Sequence, residues 1–519
     1  MSPPIRNKII QNTLYSVIGR SWTIIVGVVL APYIISKVGI DRFGIWSLLS
    51  VLVGYFALFD LGIGLSFTRF ISEAYTKSDH EEINRIANSG FVFYLLLILP
   101  VLGVAYVGRE SIFGFLNINQ TLYPDSLVAY YGTLLIFLLS TTFSGFTSIL
   151  QGIQKIDIVN KIGLAVTIPN AVATIFFLKA GLKLDGLMWT SLLSSILGLL
   201  LSIFFAKNYL PALRFNPFLF SSETMKRLLG YGLKIQFSKF AEIVTFQTDK
   251  IIVSYFSGIG AVGLYQVGTQ IVWRTRDIPV LMLSSLLPAA SELHTLNDTK
   301  KLMDIYERGT KYLAVVSIPL LLFLAATAQV LMRAWMGQGY SVSAELSQIL
   351  CVGYLCNVLV GVGVTAAAGM NQPNFQWHSA IAMTFTNIVF VIVLGYFFGI
   401  YGIAIASTVS LVVGSFYFLV KFHKYLRMSI LKFMGSTMAI PFAVSLLLSI
   451  ALWASNKFIL ESLSYSGRAP YAMLLALEAL FFVSFYLYFV IKFRYFDDVD
   501  RELFLNNYLL SKLQRMVGR

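Results

Sequence analysis

Apolar runs of about 20 residues or more follow one another along almost the whole chain, separated by short polar stretches. A helix rises about 1.5 Å per residue, so each run can cross a hydrocarbon layer about 30 Å thick. In lipid every backbone polar group must be paired within the protein, and an uninterrupted run of this length does that as a helix. Fourteen such runs are read, at 10–36, 43–66, 89–108, 125–150, 158–179, 185–206, 228–255, 261–290, 309–335, 344–370, 375–398, 401–421, 433–455 and 470–491. Of the 519 residues 57% are hydrophobic and only 12% charged, too much apolar surface for a soluble domain to hide. The expected fold class is an all-α integral membrane protein of about fourteen transmembrane helices.

The net charge of +14 would suit nucleic acid if it were clustered on one soluble face. Its distribution argues for membrane topology instead. With Met1 inside, about 24 of the 39 Lys and Arg lie in cytoplasmic segments, about 7 outside and about 8 within helices. The inner clusters include Lys207, Arg214, Lys226 and Arg227, then Lys421, Lys424, Arg427 and Lys432, then the tail from Lys492 to Arg519. With an even number of spans, both termini are expected to be cytoplasmic. The first run is too long for a secretory signal core and reads as a retained helix. Cys351 and Cys356 share one apolar helix and cannot build a disulfide framework or a metal site, so no metal is expected.

Sliding the chain along itself by 219 positions brings several marks into one gapless register. The turn Gly39 to Trp46 falls on Gly258 to Tyr265, Ser72 to Asp79 falls on Ser291 to Asp298, Gly90 falls on Gly309 and Arg20 on Lys239. That offset carries the chain through six spans, so both copies enter the membrane in the same direction and are parallel repeats. The expected organisation is a six-helix lobe at 1–210, a second at 225–428, and two appended helices with a tail at 429–519. The polar stretch 207–223, with Pro211 and Pro217, is the linker. Two parallel lobes around a central site suit alternating access, and outer connections of at most about 16 residues leave no room for a catalytic loop.

The residues Pro32-Tyr33 to Gly39, Gly44-Ile45-Trp46, Asp60-Leu61-Gly62 and Arg69 to Glu73 resemble the opening of bacterial polysaccharide-repeat flippases of the O-antigen type. Thr248 to Ile252, Gly258, Gly263-Leu264-Tyr265 and Leu287 to Ser291 are similar to the second lobe of the same family, so the resemblance spans the chain. It implies a flippase of the bacterial cytoplasmic membrane that turns an undecaprenyl-pyrophosphate-linked oligosaccharide from the inner to the outer leaflet. It also implies membrane lipids, polysaccharide polymerase and glycosyltransferase machinery as partners. The alternative is a multidrug or small-molecule ion antiporter of the same superfamily. No P-loop, HExxH or nucleophile elbow occurs, so neither ATP hydrolysis nor another enzymatic activity is expected. The expected actor is a monomer with no cofactor beyond a coupling Na+ or H+.

Ionisable residues inside spans cost about 2.5–3.5 kcal/mol each on insertion scales, and they concentrate in the first, seventh and eighth runs. Arg20, Lys239, Arg274 and Arg276 are the candidates for the pyrophosphate, which a guanidinium or ammonium group can both neutralise and hydrogen-bond. Tyr55, Gln266, Gln270 and Trp273 are the candidates for the glycan, which prefers amides, hydroxyls and aromatic faces. Trp46 and Tyr265 read as an outer aromatic belt. Glu242 and Asp249 are the candidates for ion coupling. Structural readings stand beside these: pairing of Lys239 with Glu242 and of Arg274 with Asp277, and Asp60 as cap of a bend or partner of Arg69. Lys161 and His378 read as side chains snorkelling at inner helix ends, and Glu478 has no partner in sight.

Overall fold

The computed structural model describes residues 22, 25–118, 122–296, 298–462, 467–498 and 500, and no strand occurs among them. The helices in chain order are α1 (Ile25–Val38), α2 (Ile40–Phe56), α3 (Ile63–Thr76), α4 (His80–Phe115), α5 (Tyr123–Gly152) and α6 (Ile156–Lys179). There follow α7 (Lys183–Tyr209), α8 (Ser222–Ser257), α9 (Ile259–Val280), α10 (Leu286–Thr295), α11 (Thr299–Trp335) and α12 (Ser341–Leu359). The last are α13 (Gly361–Gly369), α14 (Asn374–Leu426), α15 (Ile430–Thr437), α16 (Ala439–Ser462) and α17 (Ala469–Lys492).

Ten helical stretches among the described residues are long and apolar enough to cross a bilayer. The longest of them, α14, is two spans. Gly399 sits at φ 56° and ψ −135°, a conformation open essentially to glycine alone, and turns the helix back on itself. The Ser379 hydroxyl on one arm then donates to the Gly414 carbonyl on the other at 2.7 Å. The three further crossings needed for fourteen would fall on α1, with 14 described residues, and on α8 and α9, of 36 and 22 residues. The last two are long enough but more polar than the rest.

Two of the expected spans are broken by a 3₁₀ turn. The run at 43–66 ends its first helix at a 3₁₀ turn over Ala57–Asp60, followed by Leu61 at φ 50° and Gly62 at φ 77°. A side chain on Gly62 would come within 2.4 Å of the Gly232 carbonyl, so close backbone approach to α8 fixes glycine there. The run at 261–290 is divided likewise by a 3₁₀ turn over Leu281–Ser285 between α9 and α10.

The chain divides into two compact units. The first comprises Met1–Val267 with Asn387–Ser407, the second Gly268–Thr386 with Thr408–Arg519. In the first, Ile63, Phe67 and Ile71 of α3 pack with Ile83 and Ile86 of α4, Ile149 of α5, Ile162 of α6 and Leu228 of α8. The Pro-containing linker is strapped to α4 through its backbone. Asn84 Nδ2 donates to the Ala212 carbonyl and Asn84 Oδ1 accepts from Arg214 N; Asn88 does the same for the carbonyl of Arg214 and the N–H of Asn216. These bonds satisfy a loop that has no ladder of its own.

The 219-residue register reappears in the geometry, at positions the sequence match used and, at the two prolines, beyond them. Gly39 and Gly258 share a left-handed backbone, at φ 84° and 82°. Asp79 and Asp298 cap α4 and α11 by accepting from Glu82 N and Lys301 N, and Pro100 and Pro319 lie inside those same helices. Within the first unit the repeated turns touch reciprocally. A side chain on Gly44 would meet the Ile259 carbonyl at 2.3 Å, and one on Gly263 the Ile40 carbonyl at 2.5 Å, the same contact with the copies exchanged. Ser47 and Gln266, themselves 219 apart, hydrogen-bond to one another at 3.1 Å, as residues beside a two-fold axis do.

In the second unit α16 and α17 pack on α11 through Ala326, Val444, Leu448, Leu452, Phe482 and Tyr486. The chain beyond α17 is anchored by charge. Asp500 is fully buried and each of its oxygens accepts two bonds. Oδ1 takes Arg308 Nη1 at 2.7 Å and Tyr312 OH at 2.6 Å; Oδ2 takes Lys311 Nζ at 2.5 Å and Asp497 N at 3.1 Å. Burial pushes this carboxyl up, but the Lys311 and Tyr312 hydrogen bonds outweigh burial and hold it down at about 2. A depressed acid stabilises the folded form above its unfolded value, near 3.8, and loses that contribution as pH falls toward 2. Hydrogen exchange of 493–500 should therefore stay slow from neutral pH to about 4 and accelerate below it. Asp500→Asn should exchange fast at every pH, and an Asp500→Asn protein as protected as the parent at neutral pH would contradict this.

Candidate functional site

Most of the candidate residues lie on α8 and α9, and these fall into two groups, one in each unit. In the first unit Asp249 of α8 is 5% exposed. Its Oδ2 accepts from the Tyr265 hydroxyl of α9 at 2.9 Å and from the Ser407 hydroxyl of the second arm of α14 at 2.5 Å. Asn387, on the first arm, also bears on the carboxyl. One turn of helix keeps the neighbours polar: Lys250 Nζ donates to Gln247 Oε1 at 3.0 Å, and Thr248 shares a 2.5 Å hydrogen bond with Tyr55 of α2. A buried carboxylate is tolerated only where donors or cations compensate it, and hydroxyl and amide oxygens are the ligands that hard cations take. The constellation of Asp249, Ser407 and Asn387 can hold a proton or a small cation.

Tyr265 is corrected by this geometry. It is 1% exposed and serves Asp249, so it is no part of an outer aromatic belt. Nothing in the sequence marks Ser407 or Asn387 for this role, since a serine 158 positions from its carboxylate carries no local signal. Gln266 is engaged by Ser47, and Tyr55 by Thr248, so both glycan candidates of this unit already have protein partners.

Asp60 fits the capping alternative. It accepts from the Tyr94 hydroxyl at 2.6 Å and from Gly64 N at 3.4 Å, and so holds the bend before α3. Arg69 is elsewhere, with its guanidinium 4.2 Å from the Tyr231 ring centroid. Lys239 of α8 is exposed and lies within electrostatic reach of Asp60. Lys161 pairs with Asp157 at 3.6 Å. Arg20 and the Glu242 side chain lie outside what the structure describes, and with them the Lys239–Glu242 pairing.

In the second unit the basic residues of α9 part company. Arg276 turns to α12, where Nη2 donates to Asn357 Oδ1 at 3.2 Å and the guanidinium lies 5.7 Å from the Tyr354 ring centroid. Trp273 joins the same node: its indole N–H donates to the Tyr354 hydroxyl and the two rings meet edge to face. Arg274 points another way. Its side chain is 38% exposed and reaches Asp277 only at 3.9 Å, a pair worth at most about 1 kcal/mol in such a setting. Gln270 is half-buried. The structure thus brings Trp273 and Arg276 together as a packed node and leaves Arg274 open.

Similarity to known proteins covers the length of this architecture. The chain is 21% identical over 414 residues to the provisionally named O-antigen transporter of Shigella flexneri, covering 78% of this chain and 95% of that one. It is 23% identical over 406 residues to the probable flippase AglR of Haloferax volcanii, with 75% and 78% covered. Among solved structures the lipid II flippase MurJ in an inward closed conformation superposes with a TM-score of 0.71 at 16% identity, over 93% of this chain and 98% of that one. An inward-facing multidrug resistance MATE transporter of the MOP superfamily gives 0.65 at 13% identity, over 78% and 94%. The family model described as "Polysaccharide biosynthesis protein" matches residues 9–294, more than half of the chain. A chain with this helical repeat, this membrane fold and that match is a multi-pass membrane member of the polysaccharide biosynthesis protein family, built on the fold of the MurJ and MATE transporters.

Proposed function

We propose that this protein flips an undecaprenyl-pyrophosphate-linked oligosaccharide from the inner to the outer leaflet of a bacterial cytoplasmic membrane by alternating access of its two repeats. In this reading the chain crosses fourteen times with both termini inside. The observation that carries it is the charge of the two polar helices. In the described range α8 holds five basic against three acidic residues and α9 two against one, the reverse of what a cationic drug would need. Within the expected spans Lys239 is exposed and Arg274 partly so, while Lys226 and Arg227 are exposed at the inner end of α8; a diphosphate neutralises and hydrogen-bonds such groups. The name of the Shigella flexneri relative points to a glycan cargo, and that of the Haloferax volcanii relative to flipping.

Coupling runs through Asp249, whose ring of Ser407, Asn387 and Tyr265 suits Na+ or H+. Occupation of a site that also ties α8 to both arms of α14 gives an ion a way to favour one conformation over another, which is all a gradient needs to act on.

The test is transport of a pyrophosphate-linked glycolipid by purified protein in liposomes. Arg20 and Lys239 occupy matching repeat positions, and their double alanine variant should lose flipping by at least about tenfold, since each charge-assisted contact is worth about 1.5–3 kcal/mol. Flipping at the parent rate by a well-folded double variant would remove both residues from the site. Transport of a cationic drug but of no glycolipid by the parent would establish the antiporter alternative.

A further inference from the structure

Away from the polar helices, the second unit contains a cavity of about 260 Å³ between α11, α12 and α16. Its lining includes Gln329, Arg333, Gln348, Trp453, Asn456 and Lys457. No carboxylate belongs to that lining, and among the described side chains neither Arg333 nor Lys457 has an acidic partner within 4 Å. Arg333 is steered by Tyr471 of α17, whose hydroxyl takes Nη1 at 3.3 Å and whose ring lies 5.5 Å from the guanidinium. The two glutamines are fixed by donating to backbone carbonyls, Gln329 to Ser341 and Gln348 to Ala325.

Asn456 adds a donor to the cavity wall. It is 4% exposed, and the side chain it interacts with is Glu478 of α17; by geometry neither group reaches any other partner among the described residues. A buried amide carries two N–H donors, so an acceptor entering the cavity can gain one of them together with two cations.

The surroundings select the kind of acceptor. Beside the cavity α16 shows its lipid-facing side, with Leu447 70%, Trp453 55% and Phe458 73% exposed. The cavity lies below the roughly 300–1,000 Å³ usual for whole drug-sized ligands, so it accommodates a headgroup and not an oligosaccharide. With both termini inside, an orientation that rests on the proposed function, α11 and α16 both run outward and place Arg333 and Lys457 at the outer membrane face.

We infer that this cavity is a binding site for the phosphate of a membrane lipid in the outer leaflet, with the lipid chains lying along the exposed face of α16. Phosphate chemistry is shared by an anionic phospholipid and by a polyprenyl diphosphate. The test is native mass spectrometry of the purified full-length protein titrated separately with phosphatidylglycerol, undecaprenyl pyrophosphate and zwitterionic phosphatidylcholine. At least one of the two anionic lipids should be retained at least about tenfold more tightly than by Arg333→Gln, Lys457→Gln, the difference expected for two lost charge-assisted contacts. Whichever is retained identifies the source.

Asn456→Leu should weaken retention, and Glu478→Gln should leave it unchanged. For the parent, raising salt from 0.1 to 0.5 M should weaken anionic retention several-fold, a measurement that needs no variant. Equal retention by parent and double variant, equal retention of phosphatidylcholine, or loss of retention in Glu478→Gln would overturn the assignment. Failure of the protein to flip any glycolipid, with this retention intact, would count against the transport reading alone.

Discussion

Asp249→Asn should lose gradient-driven flipping by at least about 100-fold while keeping its fold and its affinity for the glycolipid. The amide has the shape of the carboxyl and its oxygen can still accept from Tyr265 and Ser407, which now bond Oδ2 at 2.9 and 2.5 Å. What disappears is the negative charge that would hold a cation or take up a proton. Breaking a buried charge pair by removing one partner costs about 3–5 kcal/mol, and about 1.4 kcal/mol is a factor of ten. Tyr265→Phe and Ser407→Ala each remove one donor and leave the charge, so they should slow transport only several-fold. The measurement is flipping in proteoliposomes with and without an imposed Na+ or pH gradient, at matched protein content. A gradient response in Asp249→Asn equal to that of the parent would make the carboxyl a structural group and end the coupling proposal.

Why that site was half legible in the sequence follows from what each residue type announces. A carboxylate in an apolar run stands out because it is costly wherever it sits, and Asp249 was marked on that ground alone. Its ligands carry no such mark. Serines and asparagines are common in spans, and Ser407 reaches Asp249 only because Gly399 folds α14 back on itself, a turn a hydropathy pattern records as a short gap. Tyr265 is ambiguous in sequence for a related reason: an aromatic near a helix end suits the membrane interface, and only the neighbouring Asp249 shows that its hydroxyl points inward. The repeat was the most legible feature. A gapless 219-residue offset survives as shared backbone at Gly39 and Gly258, shared caps at Asp79 and Asp298 and shared helix prolines at Pro100 and Pro319. The breaks after Asp60 and after Val280 were less so, because apolar composition runs straight through a bend that backbone packing imposes.

The two arginines of α9 should separate by experiment as they separate in space. Arg274→Ala should reduce glycolipid flipping by at least about tenfold with little change in thermal stability, since its side chain is 38% exposed and its pairing with Asp277 at 3.9 Å contributes at most about 1 kcal/mol. Arg274→Lys should recover part of the rate, because the charge returns without the planar fork that grips two phosphate oxygens at once. Arg276→Ala should instead lower the melting temperature. Its guanidinium ties α9 to Asn357 and Tyr354 of α12, and its loss strands an amide acceptor and opens one side of the Trp273–Tyr354 pair. A group left without its partner in such a node costs about 1–3 kcal/mol. Asn357→Leu should reproduce the stability loss, since it cuts the same contact from the other helix. The two readouts, flipping per folded molecule and melting temperature in the same detergent, must diverge for this assignment to stand. If Arg276→Ala melts like the parent and fails to flip while Arg274→Ala flips normally, the pyrophosphate contact belongs to the packed node, and the open arginine belongs to the protein surface.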